Sequence, residues 1–463
     1  MTSDLTHLTI AQAADLVRQR QLSPVELTQA CLARIEAVDS RLNSFITVTA
    51  DEALAAAREA ESAIAGGRYR GPLHGIPVAL KDIFGLAGVR MTAASRILAD
   101  NVSAEDAEAT ARLKAAGAVI IGKLNMHEFA FGATGINPHY GPAHNPWDTE
   151  RITGGSSSGA GAAVAAGECA AALGTDTGGS IRIPASLCGV VGLKPTYGRV
   201  SRRGVLPLSW SLDHVGPLTR TVEDAAIVLQ AIAGRDEGDA SSSPAPVPDY
   251  RSALRDGLRG LRIGLPSHFF FDTLEPGVEE AVRRAIAALE GLGATLEEVS
   301  LPYMDELPGA VMAIMMPEAL AYHQKWMAER PQDYGDDVRY RLELGATYLA
   351  VHYLQAQRLR ELAVQAWRDR VFDKVDLLAT PTTQCAATPI AQGDLQMTLS
   401  LIRLTNPINL LGLPAVSLPC GFTGQGLPAG LQLIGRWFDE ATVLRAAHAY
   451  EQATDWHQRR PQL

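Results

Sequence analysis

Little sulfur, little aromatic surface and no block of a single charge are found in this sequence, and each shortage removes a class of function. The 463 residues include five cysteines, Cys31, Cys169, Cys188, Cys385 and Cys420, with no C-x-x-C pair among them. That spacing argues against a zinc site and a disulfide framework, and it fits a reducing compartment. No run of about 18 apolar residues occurs, and the N-terminal MTSDLTHLTIAQAADL lacks a charged region followed by an apolar one. The chain therefore reads as cytoplasmic, with no membrane partner. The formal net charge is -10 and no basic run interrupts it, so a phosphate backbone finds no electrostatic footprint and no nucleic-acid partner is expected. His74, His127, His139, His144 and His214 sit in Gly-rich or turn-rich surroundings with no i, i+4 pairing, so no metal and no other cofactor is expected. A small molecule is the remaining partner.

What is present is a large globular chain. Hydrophobic residues make up 47% and charged residues 20%, and the length allows two or three domains or one large α/β unit. The first sixty-odd residues read as helices, with capping boxes at Thr9/Gln12 and at Ser23/Glu26, the second with Pro24 in its first turn. From Gly75 the texture becomes βαβ: IPVAL, then the helix AEDAEATARLKAAG closed by Gly117, then AVII. Further on come the helix TVEDAAIVLQAIAG, a Pro/Ser excursion at residues 236–248, the strand LRIGL, helical stretches over 309–329 and 335–373, and late strands DLLAT, VSLPCG and GLQLIG. Strands at both ends of the chain point to one large mixed β-sheet surrounded by helices. Within that single unit, 1–463, the expected parts are an N-terminal helical part (1–65), a core (71–220) and a more variable region (240–400); a domain boundary near residue 240 is the alternative.

Two motifs mislead. GAVIIGKL resembles a phosphate-binding G-x-x-x-x-G-K-[ST], but its middle is strand-forming and Leu124 has no hydroxyl for a metal. GSSSG fits the nucleophile elbow G-x-S-x-G with Ser157 at its centre, yet an elbow follows an apolar strand, and here NPWDTERIT precedes it.

TGGSSSGAGAAVAAG, residues 153–167, has the composition of a flexible linker but runs directly into apolar small residues. Set beside GPLHGIPVALKDIF and GTDTGGSIRIPASLCGVVGLKPTYGRVS, it resembles the pattern of the amidase signature family. The resemblance extends from about Gly71 to Arg220 and returns weakly in NPINLLGLPAVSLPCG and GLPAGLQLIG. It implies an α/β amidase fold and a catalytic set of Lys81, Ser156 and Ser180, with a cis peptide bond between Gly155 and Ser156.

The residues support that chemistry in their own terms. A serine hydroxyl needs a base, and a lysine serves only when its neutral form is accessible; Lys81 follows an apolar run, where desolvation disfavours the ammonium. The bland alternative is a surface lysine at a strand end. Ser156 would relay a proton between Ser180 and Lys81, or else cap the following helix, a task open equally to Ser157 or Ser158. The glycines of TDTGGS allow the amides of Thr177, Gly178, Gly179 and Ser180 to converge as an oxyanion hole, braced by Asp176 and Arg182. By resemblance, Met126, Phe131, Gly132, Ala133 and Thr134 line the substrate side. Met312, Met315, Met316 and Trp326 are either core or adaptable pocket wall.

The reading that follows is a stand-alone amidase, a serine hydrolase of non-peptide amides and, by extension, of aryl esters, anilides or carbamates, working as a monomer or homodimer with a small amide and water as partners. The alternatives are the A-type glutaminase subunit of a tRNA-dependent amidotransferase and a non-catalytic binding protein on the same fold. A glutaminase must hold an α-carboxylate and an α-ammonium. Arg341 or Arg339 could serve the first, whereas the amidotransferase branch has an aspartate for the second where Ile402 stands here. Poor use of glutamine, activity without partner subunits, and a preference for uncharged or apolar acyl groups are expected.

Overall fold

The computed structural model describes residues 5–463. Among these, eleven strands form one mixed sheet, and strands as distant in sequence as Phe45–Val48 and Pro428–Gly435 belong to it. Helices wrap this layer, which is the α/β architecture expected. The strands before and after residue 240 join the same sheet. A two-stranded ribbon, His144–Asn145 with Asp148–Ile152, stands apart from it. No helix among the described residues is long and apolar enough to cross a membrane.

Both capping boxes are formed, each with the cap side chain accepting from the first turn and the third helical residue reaching back. The N-terminal part is not wholly helical: FITV, Phe45–Val48, pairs antiparallel with Val119–Leu124. Four residues are too few to show an alternation from sequence.

Strand Pro77–Lys81 lies between Val119–Leu124 and Ala171–Asp176, parallel to both, and every residue of the three is buried. A strand covered on both faces reads as a continuous apolar run. Here the run continues one residue into Lys81, so the sheet itself carries an amine into the interior. Lys81 and Asp176 end parallel neighbours, and the carboxyl ends of such strands are where open α/β sheets place ligands.

Helix Ser158–Ala166 is buried on all sides, which explains its small residues. A Cβ on Gly159 would come within 2.2 Å of the Ser44 carbonyl oxygen. The Gly/Ser-rich stretch is thus a tightly packed helix start rather than a linker.

Residues 335–373 are two helices, Asp336–Gly345 and Ala350–Arg370, instead of one. Both pack on helix Leu307–Glu329, and two contacts with one helix from consecutive segments require the chain to turn between them.

Candidate active site

The end of the Pro77–Lys81 strand places the lysine amine among hydroxyls. Nζ of Lys81 lies 2.7 Å from Oγ of Ser156 and 2.9 Å from Oγ1 of Thr175, in a fully buried setting. Burial pulls the ammonium down to about 7, against the opposing pull of the Asp213 and Asp176 carboxylates. An amine so placed has an accessible neutral form near neutral pH and can take a proton from a hydroxyl.

Ser156 follows a cis peptide bond from Gly155, and its carbonyl accepts the His127 N–H at 3.1 Å. The next residue ties the two serine loops together, since Ser157 N–H donates to the Ser180 carbonyl at 3.3 Å. Neither neighbouring serine acts as a helix cap: Ser157 makes no side-chain capping bond. Its hydroxyl instead meets the backbone of Thr175, while that of Ser158 donates to the Asn125 carbonyl.

Ser180 is reached through a turn built on Asp176. One carboxylate oxygen accepts the Gly179 N–H at 2.8 Å, the other the Ile181 N–H at 3.2 Å, and Arg182 closes a two-point pair at 2.9 and 3.0 Å. Burial would raise the Asp176 carboxyl, but the Arg182 guanidinium outweighs it and holds the group well below the usual carboxylate range. Arg182 in turn donates to Gln432 at 2.7 Å and to Asn409 at 2.6 Å. A buried ion pair is favourable only when its remaining hydrogen-bonding capacity is met in this way. The turn corrects one expectation: the Gly179 N–H is occupied by Asp176 and is not free for an oxyanion. Among the described residues the N–H groups of Thr177, Gly178 and Ser180 donate to no protein acceptor, and no protein group bonds the Ser180 hydroxyl.

That hydroxyl borders a narrow cavity. Phe131, Gly132 and Ala133 form one wall, and Met312, Met315 and Met316 form another. The methionines are therefore pocket wall and core at once, since Met315 and Met316 are also buried in the main apolar cluster. Met126 and Thr134 do not reach the cavity. Met126 is packed in the core, and Thr134 turns back to cap the Ile136 N–H. Trp326 stacks on Phe129. Ile402 lines the cavity, and of the two arginines only Arg341 does; Arg339 pairs outside with Asp336 at 2.8 Å. A buried guanidinium, that of Arg341, thus stands in the wall among mostly apolar side chains.

A second cavity, of about 310 Å³, meets the same turn from the other side at Thr175 and Thr177 and is lined by Arg202, Trp210 and Asp213. A roomier hollow of about 740 Å³, near His7, Arg220 and Glu451, holds none of the candidate residues. The Lys81–Ser156 contact and the backbone bond from Ser157 to Ser180, rather than volume, mark the candidate site.

Several supporting residues escaped the sequence reading. Thr175 is the second partner of Lys81, Thr405 Oγ1 donates to the Gly178 carbonyl at 2.6 Å, and Asn409 donates to the Asp176 carbonyl at 2.8 Å. The last two lie in or beside NPINLLGLP, whose resemblance was the only available signal.

A fully buried lysine that ends a parallel strand against the Ser156 hydroxyl, beside the turn that carries Ser180, fits a serine hydrolase of the amide-cleaving kind. The chain belongs to the amidase signature family: the Amidase family model matches residues 26–444. It is 50% identical to the A subunit of glutamyl-tRNA(Gln) amidotransferase from Moorella thermoacetica, with 99% of each chain covered. Among solved structures it is similar, at 36% identity and a TM-score of 0.93 over 98% of this chain and 100% of the other, to a protein described as a vestigial protein complex that reveals the evolutionary origins of an s-triazine catabolic enzyme. The peptide amidase PAM in complex with chymostatin shares 32% identity and a TM-score of 0.87, with 99% of each chain covered. These relatives overturn the expected monomer or homodimer without nucleic acid. One belongs to an enzyme named for a tRNA, and another was solved as a protein complex.

Proposed function

We propose that this chain is the amide-hydrolysing, A-type subunit of an amidotransferase-like assembly, and that it releases ammonia from a primary carboxamide through an acyl-enzyme on Ser180. The observation that carries this reading is the contact of 2.7 Å between a fully buried Lys81 amine and the Ser156 hydroxyl, in a loop tied to Ser180. The similarity to amidotransferase A subunits over nearly the whole chain favours this alternative over a hydrolase working alone.

In the first step Ser180 Oγ bonds to the carbonyl carbon while its proton passes to Ser156, and the Ser156 proton passes to Lys81. The oxyanion faces the open N–H groups of Thr177, Gly178 and Ser180. The tetrahedral adduct collapses as the C–N bond breaks, and the nitrogen takes the Lys81 proton and leaves as ammonia. Water then repeats the sequence on the ester, so that the balance is amide plus water to carboxylic acid plus ammonia. Asp176 and Arg182 hold the turn and touch no reacting atom.

A fluorophosphonate probe followed by peptide mapping tests the reading. Labelling at Ser180, lost in Ser180→Ala, is expected. Labelling at Ser156 or Ser157 instead, or undiminished amide turnover by Ser180→Ala, refutes it.

A further inference from the structure

The wall of the Ser180 cavity offers a charged partner to one negative charge and no charged partner to a positive one, whose sole buried, unpartnered side-chain acceptor there would be the uncharged Asn406 Oδ1. Arg341 is 3% exposed and lines it. Its Nη1 is fully engaged, donating to the Phe131 carbonyl and to Asp337 Oδ2, both at 2.7 Å. Its Nε is buried without a partner, and Nη2 has only Thr398 Oγ1, at 3.5 Å. Nε–H and Nη2–H lie on one edge of the planar guanidinium, the fork that matches the two oxygens of a carboxylate. A buried charged donor left half-satisfied is a costly arrangement unless a ligand completes it.

The remaining lining has no acid. Leu395, Leu399, Ile402 and Met312 face the space, and neither Asp nor Glu contributes to it. The carboxylate packed closest against Arg341, that of Asp337, is already bridged to His127 Nε2 at 2.9 Å and to Arg341 itself.

We propose that the site takes a small primary amide whose acyl part carries one carboxylate and no ammonium, such as the half-amide of a short dicarboxylic acid, with Arg341 as the carboxylate-binding residue and Ile402 as the residue that excludes an α-ammonium. The proposal rests on the acyl-enzyme reading above. An α-amino acid amide such as glutamine would carry its ammonium beside a guanidinium, into a wall with no carboxylate and only the uncharged Asn406 Oδ1 as a buried, unpartnered side-chain acceptor. Burying an unpaired charge beside a like charge is strongly unfavourable. Removing only that ammonium turns glutamine into glutaramate, which keeps the carboxylate and the amide.

The test uses the full chain with any subunit that co-purifies with it. Labelling of Ser180 by the fluorophosphonate is checked first; if it fails, the acyl-enzyme reading falls and this proposal with it. With labelling established, ammonia release is compared for glutaramate, glutamine and butyramide, the last lacking both charges. Glutaramate is expected to exceed each of the other two in kcat/KM at least a hundredfold, and to protect Ser180 from the probe at correspondingly lower concentration. Arg341→Gln is expected to raise KM for glutaramate at least tenfold, and Ile402→Asp to narrow the gap between glutaramate and glutamine. Equal or better use of glutamine, or butyramide matching glutaramate, overturns the proposal from the unaltered chain alone, whatever the variants do.

Discussion

Replacing Lys81 by methionine should abolish turnover and also change how the stability of the fold depends on pH. In the unfolded chain this amine holds its proton up to about pH 10.5, whereas in the folded chain burial brings it down to about 7. Between those values the unfolded state binds one proton more than the folded state, so the stability of the native sequence rises with pH across the window. Below about pH 7 both states are protonated and the contribution is flat. The span of about 3.5 pH units, at about 1.36 kcal/mol each, amounts to about 5 kcal/mol. Methionine fills a similar volume with no charge, so the variant lacks this slope. It also leaves the Ser156 and Thr175 hydroxyls without their partner, at about 1–3 kcal/mol for each group left unsatisfied. The absolute difference at one pH is therefore uninformative, while its pH dependence isolates the amine. Urea unfolding of both proteins at pH 7, 8, 9 and 10 should show the native chain gaining about 4 kcal/mol on the variant over those three units. Parallel stability profiles would mean that Lys81 keeps an ordinary pKa and cannot be the base. The same group sets the rate: kcat/KM should climb from acid toward alkaline pH with a midpoint near 7. A midpoint at pH 4 to 5 points to a carboxylate base and contradicts the assignment.

Two further substitutions probe the turn and the relay. Ser156→Ala should lower kcat by about a thousandfold, within the range for losing a positioned proton carrier, yet retain slow labelling of Ser180, because a water can bridge to Lys81; single-turnover kinetics with the phosphonate separates this from a folding defect, and an unimpaired rate removes Ser156 from the pathway. Gly179→Ala should destabilise the chain by about 2–4 kcal/mol, since its φ is +134° and a Cβ would stand 2.1 Å from Thr405 Oγ1; an unchanged thermal midpoint would show that the turn yields freely.

How much of this was legible in the sequence depended on how far apart the cooperating residues lie. Lys81, Ser156 and Ser180 each sit inside a short dense motif, and the strand that buries Lys81 announces itself as IPVAL. The capping boxes at Thr9 and Ser23 are local as well, and both are present. Short strands without alternation, such as Phe45–Val48, left no local trace, because pairing with Val119–Leu124 makes them strands. The Gly179 amide could not be recognised as occupied either. Its acceptor is Asp176, only three residues away, but the turn that joins them depends on Arg182 being held by Gln432 and Asn409 from more than two hundred residues further on.

The same reasoning explains why reaction and substrate separated so cleanly. Lys81 and Asp176 end adjacent parallel strands, whose place in the sheet is set by continuous apolar runs. The acyl cavity is closed by pieces from elsewhere: Phe131 from the loop after strand Val119–Leu124, Arg341 from helix Asp336–Gly345, and Ile402 from helix Leu395–Ile402. A charge in that wall acts only through what faces it, and neither the freedom of the Arg341 fork nor the engagement of Asp337 follows from residue type. The relatives cover nearly the chain's full length, while the proposed choice of acyl group turns on one apolar residue, Ile402, that lines the same cavity as the unpartnered edge of Arg341.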